Sequence, residues 1–152
     1  MNLEYLNSLP EVENIHNFNL EEGEKAVFVT NIQMFGNQKG FRLHDGRVTP
    51  PFTLTNKKIY IRGDIASNQV WTFDLQNDIK EIKWTEGRFM KIFKTRYYNM
   101  GLKIEMKYKG PSDTPDAFGR YKIVEHTLTD VRLYLMEQDK SKFDEILNNL
   151  NN

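Results

Sequence analysis

Residues 102–109 read Leu-Lys-Ile-Glu-Met-Lys-Tyr-Lys, and they carry the clearest structural pattern in this 152-residue chain. Every even position is apolar or aromatic, and every odd position is charged. Side chains of a β-strand alternate between the two faces of a sheet, so this pattern predicts a strand with one buried and one solvated face. Antiparallel sheets commonly pack on one face in this way, which makes the expected fold mainly β.

Apolar and β-branched runs on both sides of this strand predict further strands. The longest is an extended run from Ala26 to Met34, whose even-numbered apolar residues share one face. Pro50 and Pro51 cannot donate to a β-ladder, so they mark an edge or a kink. We expect about seven antiparallel strands, arranged in a barrel or a sandwich. The other candidate segments are 41–43, 52–55, 59–61, 70–75, 90–93, 120–124 and 131–135.

The hydrophobic period changes near the C-terminus. Asp139 is a candidate N-cap, because its carboxylate can accept a hydrogen bond from a free backbone amide. Four apolar residues follow at spacings of three, one and three, which predicts one face of an amphipathic helix. They are Phe143, Ile146, Leu147 and Leu150. This helix is expected to cover an open end or edge of the sheet, and a second, short helix is expected around Leu3–Leu9.

The composition excludes several classes of protein. The 21 basic and 21 acidic residues balance, so the chain as a whole is not basic in the way that nucleic-acid-binding domains are. A chain without cysteine cannot form a disulfide scaffold, a thiolate zinc site or a cysteine nucleophile. No apolar run approaches the roughly 18 residues of a membrane span, and residues 1–18 lack the regions of a signal peptide. We therefore expect a soluble, cytoplasmic protein.

Charge is nevertheless unevenly distributed along the chain. Residues 1–24 contain six acidic and no basic side chains, whereas residues 80–109 contain nine basic and three acidic ones. Such asymmetry bears on partners rather than on fold. One hypothesis is that the acidic segment lies over the basic one, in the same chain or in a second copy.

Three local phrases and the strand order together carry a resemblance to a known family. Residues 21–27, Glu-Glu-Gly-Glu-Lys-Ala-Val, resemble the segment that leads into the first strand of GRAM-like domains. Residues 54–61, Leu-Thr-Asn-Lys-Lys-Ile-Tyr-Ile, resemble a hairpin of these domains and are the most specific match. Leu75, Ile79 and Ile82 resemble the step into a later strand. Over residues 21–150 the chain is therefore similar to bacterial PH-like and GRAM-like domains of the pleckstrin-homology superfold.

The resemblance implies a fold and a general role. It implies a PH-like barrel of about seven antiparallel strands over residues 21–152, closed by the C-terminal helix, with residues 1–20 as an N-terminal extension that holds the short helix. It also implies a bacterial, non-enzymatic binding or adaptor module. Phosphoinositide-binding members carry a Lys and an Arg-x-Arg across the first hairpin, whereas this chain offers Lys39, Arg42 and Arg47 without that motif.

These three cations form a candidate ligand site together with Lys57 and Lys58. In a PH-like fold the first hairpin and the following turn lie near one mouth of the barrel, where the five side chains could receive an anionic group. The alternative interpretation is scattered, solvated charge on loops.

The basic and aromatic stretch 88–98 is a second candidate interaction surface, through Arg88, Lys91, Lys94 and Arg96. Interleaved cations and rings can bind single-stranded nucleic acid, an anionic membrane or an acidic protein. The structural alternative is an antiparallel strand with its rings buried and its cations in water. The neutral overall charge argues against nucleic acid.

Nothing in the sequence predicts catalysis, a metal or a cofactor. The three histidines are far apart, and no metal-binding, nucleophile-elbow or phosphate-loop motif is present. His44-Asp45 resembles a base and its orienting carboxylate, but His-Asp-Gly is also ordinary turn chemistry. The functional hypotheses are therefore recognition of a protein partner or self-association, peripheral binding to anionic lipid through the basic loops, and a small-ligand carrier with a lipocalin-like barrel.

Overall fold

The computed structural model describes residues 1–47 and 49–152, except for the side chains of residues 86–90 and 92. In this part of the chain, two helices flank eight strands. The helices are α1 (Leu3–Ser8) and α2 (Glu137–Leu150). The strands are β1 (Ala26–Asn31), β2 (Phe35–Asn37), β3 (Pro51–Thr55), β4 (Lys58–Asp64), β5 (Gln69–Asp74), β6 (Ile79–Ile92), β7 (Thr95–Pro111) and β8 (Ile123–Met136).

The strands form two antiparallel sheets of four. The first sheet has the order β1-β3-β4-β5, and the second has the order β2-β8-β7-β6. The expectation of a mainly β fold with a C-terminal helix is confirmed. Neither sheet pairs β5 with β6, and no closed barrel is found within the described residues.

One segment, residues 26–37, belongs to both sheets. β1 pairs with β3 as far as Asn31, and the Ile32 amide then donates to the Pro50 carbonyl at 2.9 Å. The next amide, of Gln33, donates to Tyr134 of β8 at 2.9 Å. Pro50 and Pro51 can accept but not donate, so the ladder with β3 ends at these residues and the chain passes to the second sheet.

This change of sheet corrects the expected single strand through Met34. The structure ends β1 at Asn31, and the alternation is not kept through the step to β2. Met34 is exposed, whereas Phe35 is buried against Trp71 and Phe73. Odd or even position in the sequence no longer predicts which side chains are buried once the chain leaves one ladder for another.

The alternating stretch 102–109 forms the centre of β7 as predicted. Leu102 and Ile104 are buried, Met106 and Tyr108 are half-buried, and the odd-numbered residues are exposed. β7 is longer than expected because it pairs along both edges, with β6 and with β8. β8 contains residues 123–124 of the predicted segment 120–124 and all of the segment 131–135, so these form one strand rather than two.

Helix α2 closes one end of the sandwich. All four residues of its predicted apolar stripe are buried, and the Phe143 ring packs edge-on against Phe28 and Phe52, with centroids 5.0 and 6.1 Å away. The predicted N-cap is wrong, because the helix begins at Glu137. The Asp139 carboxylate instead accepts a hydrogen bond from Thr30 Oγ1 at 2.5 Å, which ties the helix to β1.

The N-terminal residues pack on the first sheet. Leu6 of α1 is fully buried, which confirms the short helix and adds it to the core. The buried carboxylate of Glu24 accepts hydrogen bonds from Tyr60 and Thr55 at 2.8 and 2.5 Å. The acidic segment 1–24 was hypothesised to lie over the basic segment 80–109. Its ion pair among the described residues instead joins Glu21 to Lys58 of β4.

Replacing Phe143 with Ala is expected to lower the free energy of unfolding by about 3–5 kcal/mol, because it leaves a cavity between α2 and the sheets. Urea unfolding measures the effect. Asn148→Ala is the matched control, since Asn148 is exposed on the same helix, and it should change stability by less than about 0.5 kcal/mol. A similar loss in both variants would contradict a capping role for the apolar stripe.

Candidate functional site

A cleft of about 840 Å³ lies at one end of the sandwich. We call it the end cleft. Its walls come from three parts of the chain: the loop 41–47, the β4–β5 turn with Trp71, and the adjoining ends of β7 and β8. Residues distant in sequence meet here because β2 and β8 lie in one sheet and β4 and β5 lie in the other.

The loop is held against β4 by backbone contacts. The Asp45 amide donates to the Gly63 carbonyl at 2.6 Å, and Leu43 donates to Phe35 of β2 at 2.9 Å. A Cβ at position 63 would lie 2.8 Å from the Leu43 carbonyl oxygen and 2.7 Å from Trp71 Nε1. Glycine at this position therefore allows the loop and the indole to approach the strand closely.

The five cations of the predicted ligand site do not share one mouth. Arg42 and Arg47 line the end cleft, and Lys39 forms an ion pair with Asp113 of its wall. Lys57 and Lys58 lie in and beside the β3–β4 turn, at the opposite end of β4. Seven residues of strand, roughly 20 Å, separate the two groups, so the expectation of one shared mouth is wrong.

Arg47 is already engaged within the cleft wall. Its Nη2 lies 2.7 Å from Asp45 Oδ2, and its backbone amide donates to Asp45 Oδ1 at 3.0 Å. These hydrogen bonds lower the pKa of Asp45 to about 2. The pair is a local turn contact that keeps Asp45 ionised and neutralises Arg47.

Arg42 is placed differently. It lies opposite Gly36 of β2 in an isolated bridge, and its guanidinium contacts the backbone of Gly46. In the part of the chain that the structure describes, no acidic side chain pairs with Arg42. The wall of the end cleft therefore holds an exposed cation that forms no ion pair among the described residues.

His44 does not form the base and carboxylate pair that the sequence suggested. Its Nδ1 lies 2.8 Å from the backbone carbonyl of Asp45, while the Asp45 carboxylate binds Arg47. The turn interpretation of His-Asp-Gly is therefore the correct one. His44 Nε2 is buried without a hydrogen-bond partner among the described residues, and burial lowers the pKa of the ring below 6.5.

Aromatic residues that the sequence analysis did not select form another wall. The His126 ring stacks on Tyr108 with centroids 5.2 Å apart, and Tyr108 packs edge-on against Trp71 at 5.2 Å. Tyr108 and His126 are directly paired across β7 and β8. Only the register between these strands brings them together, so no local motif could have identified them.

The second predicted surface lies on the hairpin of β6 and β7. Lys91, Lys94 and Arg96 are exposed there, while the side chain of Arg88 lies outside the described residues. Phe93 is 96% exposed, so the interpretation with all rings buried is wrong for this ring. Ile92 pairs with Thr95, so Phe93 and Lys94 form the tip of the hairpin, where no sheet can cover the ring.

No family model, curated protein or solved structure matches this chain. Among the residues that the structure describes, no helix is both long and apolar enough to cross a bilayer. The described side chains also include no group of three or more His, Asp or Glu residues that could hold a metal ion.

The half-buried His44 predicts a pH-dependent stability. Its pKa is lower in the folded than in the unfolded chain, so the stabilisation is complete above pH 6.5 and is lost as the pH falls below that value. The same sign applies to His16, whose pKa is also lowered by burial. The melting temperature should therefore fall between about pH 7 and pH 5.

The variant His44→Gln isolates the cleft contribution to this pH dependence. We expect it to reduce the slope of melting temperature against pH, and His126→Gln serves as control because that ring lies at the rim, stacked on Tyr108. An unchanged slope in His44→Gln would show that the ring titrates alike in the folded and unfolded chain.

Proposed function

We propose that this chain is a non-enzymatic, PH-like binding module that recognises a protein partner through the end cleft. The PH-like assignment is supported by the order of elements. A four-stranded antiparallel sheet is followed by three consecutive antiparallel strands, β6 to β8, and then by the capping helix. Residues 26–37 join the two sheets at one corner, as a strand of a partly open barrel does.

The observation that carries the binding proposal is the unpaired guanidinium of Arg42 in a concave wall. Arginine presents a planar fork of donors that matches a carboxylate, and such charge-assisted hydrogen bonds are stronger than neutral ones. Trp71 and Tyr108 supply apolar surface beside it. This combination suits an acidic side chain or a terminal carboxylate with an apolar neighbour.

A protein partner is favoured over a small molecule by the rim of the cleft. Phe41 and Ile123 line it and are exposed, which extends the apolar surface towards solvent. Arginine and aromatic residues are enriched among the anchor residues of protein–protein interfaces, and contiguous exposed apolar surface marks such sites. A small anionic ligand is the second candidate, because the volume falls within the range of about 300–1,000 Å³ for ligand sites.

The other two hypotheses fit less well. A lipocalin-like carrier needs an open interior, whereas the space between these sheets holds the buried rings of Phe28, Phe35 and Phe73. Lipid attachment through one basic mouth needs Lys57 and Lys58 near Arg42, and they lie at the other end of β4.

Panning a random peptide library on the purified chain tests the proposal. Enriched peptides are expected to carry an acidic residue beside an aromatic or aliphatic one. Arg42→Gln should weaken the best peptide about 10- to 100-fold, since a charge-assisted hydrogen bond contributes about 1.5–3 kcal/mol. Fluorescence anisotropy measures the dissociation constants.

Two further variants sharpen this test. Gly46→Ala keeps the charge of Arg42 but displaces its guanidinium, and it should also weaken binding. Lys57→Gln removes a cation far from the cleft and should leave binding unchanged. Peptides that bind the wild type and Arg42→Gln equally, or no enrichment at all, would refute recognition through Arg42.

A further inference from the structure

The hairpin between β6 and β7 has an unusual tip. Ile92 and Thr95 are paired, so Phe93 and Lys94 form a two-residue turn. Phe93 has a φ of 56°, in the left-handed region, and 96% of its surface is exposed. Turns of this type normally place Asn, Asp or Gly where φ is positive.

Both properties of Phe93 are unfavourable for the isolated chain. A bulky residue in the left-handed region is strained, because its Cβ approaches the following carbonyl. A phenyl ring in water also forgoes the free energy of apolar burial. Backbone strain of this kind is found at functional sites, where the conformation presents a side chain to a ligand.

The surroundings of the ring are cationic. Lys91 and Lys94 are exposed, and within the described part of the chain neither is in an ion pair. An anionic surface would bind the two ammonium groups while the ring leaves water.

We propose that the tip of the β6–β7 hairpin docks on an anionic lipid bilayer. The Phe93 ring enters the interfacial region, and the ammonium groups of Lys91 and Lys94 lie at the level of the anionic headgroups. A single protruding ring among cations suits a soft, laterally extended and negatively charged surface. A convex tip of this kind provides no groove for a folded acidic partner.

This surface is distinct from the end cleft. The tip lies at the start of β7, whereas Tyr108 and Pro111 of the cleft lie at its other end. The two proposals can therefore be tested independently. Arg42→Gln should leave membrane binding unchanged.

Co-sedimentation with lipid vesicles tests the inference. The full chain is mixed with vesicles of phosphatidylcholine alone, or with about 30% phosphatidylserine, at about 20 mM and about 150 mM salt. We expect binding only to the anionic vesicles, weaker at the higher salt. Lys91→Gln and Lys94→Gln should each lower the partition coefficient about fivefold, as loss of one cation near the surface implies.

Phe93→Gly separates insertion from folding. Glycine relieves the positive φ, so the variant should melt at a higher temperature than the wild type. It should nevertheless bind anionic vesicles at least fivefold more weakly, because the ring is gone. Phe118→Ser is the matched control, since Phe118 is 84% exposed in the β7–β8 loop beside the cleft, and it should bind like the wild type.

Several outcomes would overturn the proposal. They are a wild-type chain that does not bind anionic vesicles at low salt, a Phe93→Gly variant that binds as well as the wild type, and equal losses in Phe93→Gly and Phe118→Ser. In the first case a protein receptor would become the occupant to seek for this tip.

Discussion

The passage of one extended segment from the first sheet to the second is the constraint on which the rest of this structure depends. The Ile32 amide donates a hydrogen bond to Pro50 and the Gln33 amide donates to Tyr134, so consecutive amides are hydrogen-bonded to different sheets. The prolines favour this change, because they provide acceptors but no donors. The two sheets are thereby joined at one corner, and α2 covers an end of the core with the Phe143 ring.

The end cleft follows from the same constraint. Once residues 35–37 are paired with β8, the chain must turn back, and the buried Asn37 accepts hydrogen bonds from the amides of Lys39 and Phe41 within that turn. The returning loop brings Arg42 opposite Gly36 and sets Asp45 against Gly63 of the other sheet. Backbone pairing thus places Arg42 in the cleft wall, where it forms no ion pair with an acidic residue among those that the structure describes.

The sequence predicts those features that depend on local periodicity, and it fails where pairing between distant segments decides. The alternation at 102–109 and the stripe from Phe143 to Leu150 are buried as expected, since each pattern has only one apolar face to bury. Asp139 was expected to cap its own helix, but a hydroxyl on β1 lies within reach. Lys58 and Arg42 were predicted to share one site, but the length of β4 separates them. Tyr108 and His126 come together only because they are paired across β7 and β8.

β7 relates the two proposed surfaces to each other. It is paired on both edges and buries Met100, Leu102 and Ile104 at its centre, so it is a stiff connection rather than a hinge. Its 17 residues correspond to at most roughly 55 Å of strand, several times the Debye length of about 8 Å at physiological salt. A chain docked by Phe93 with β7 directed away from the bilayer would therefore hold Arg42 beyond the field of the headgroups. There a carboxylate of a protein partner would bind the guanidinium without competition from lipid, which is the arrangement that a peripheral adaptor requires.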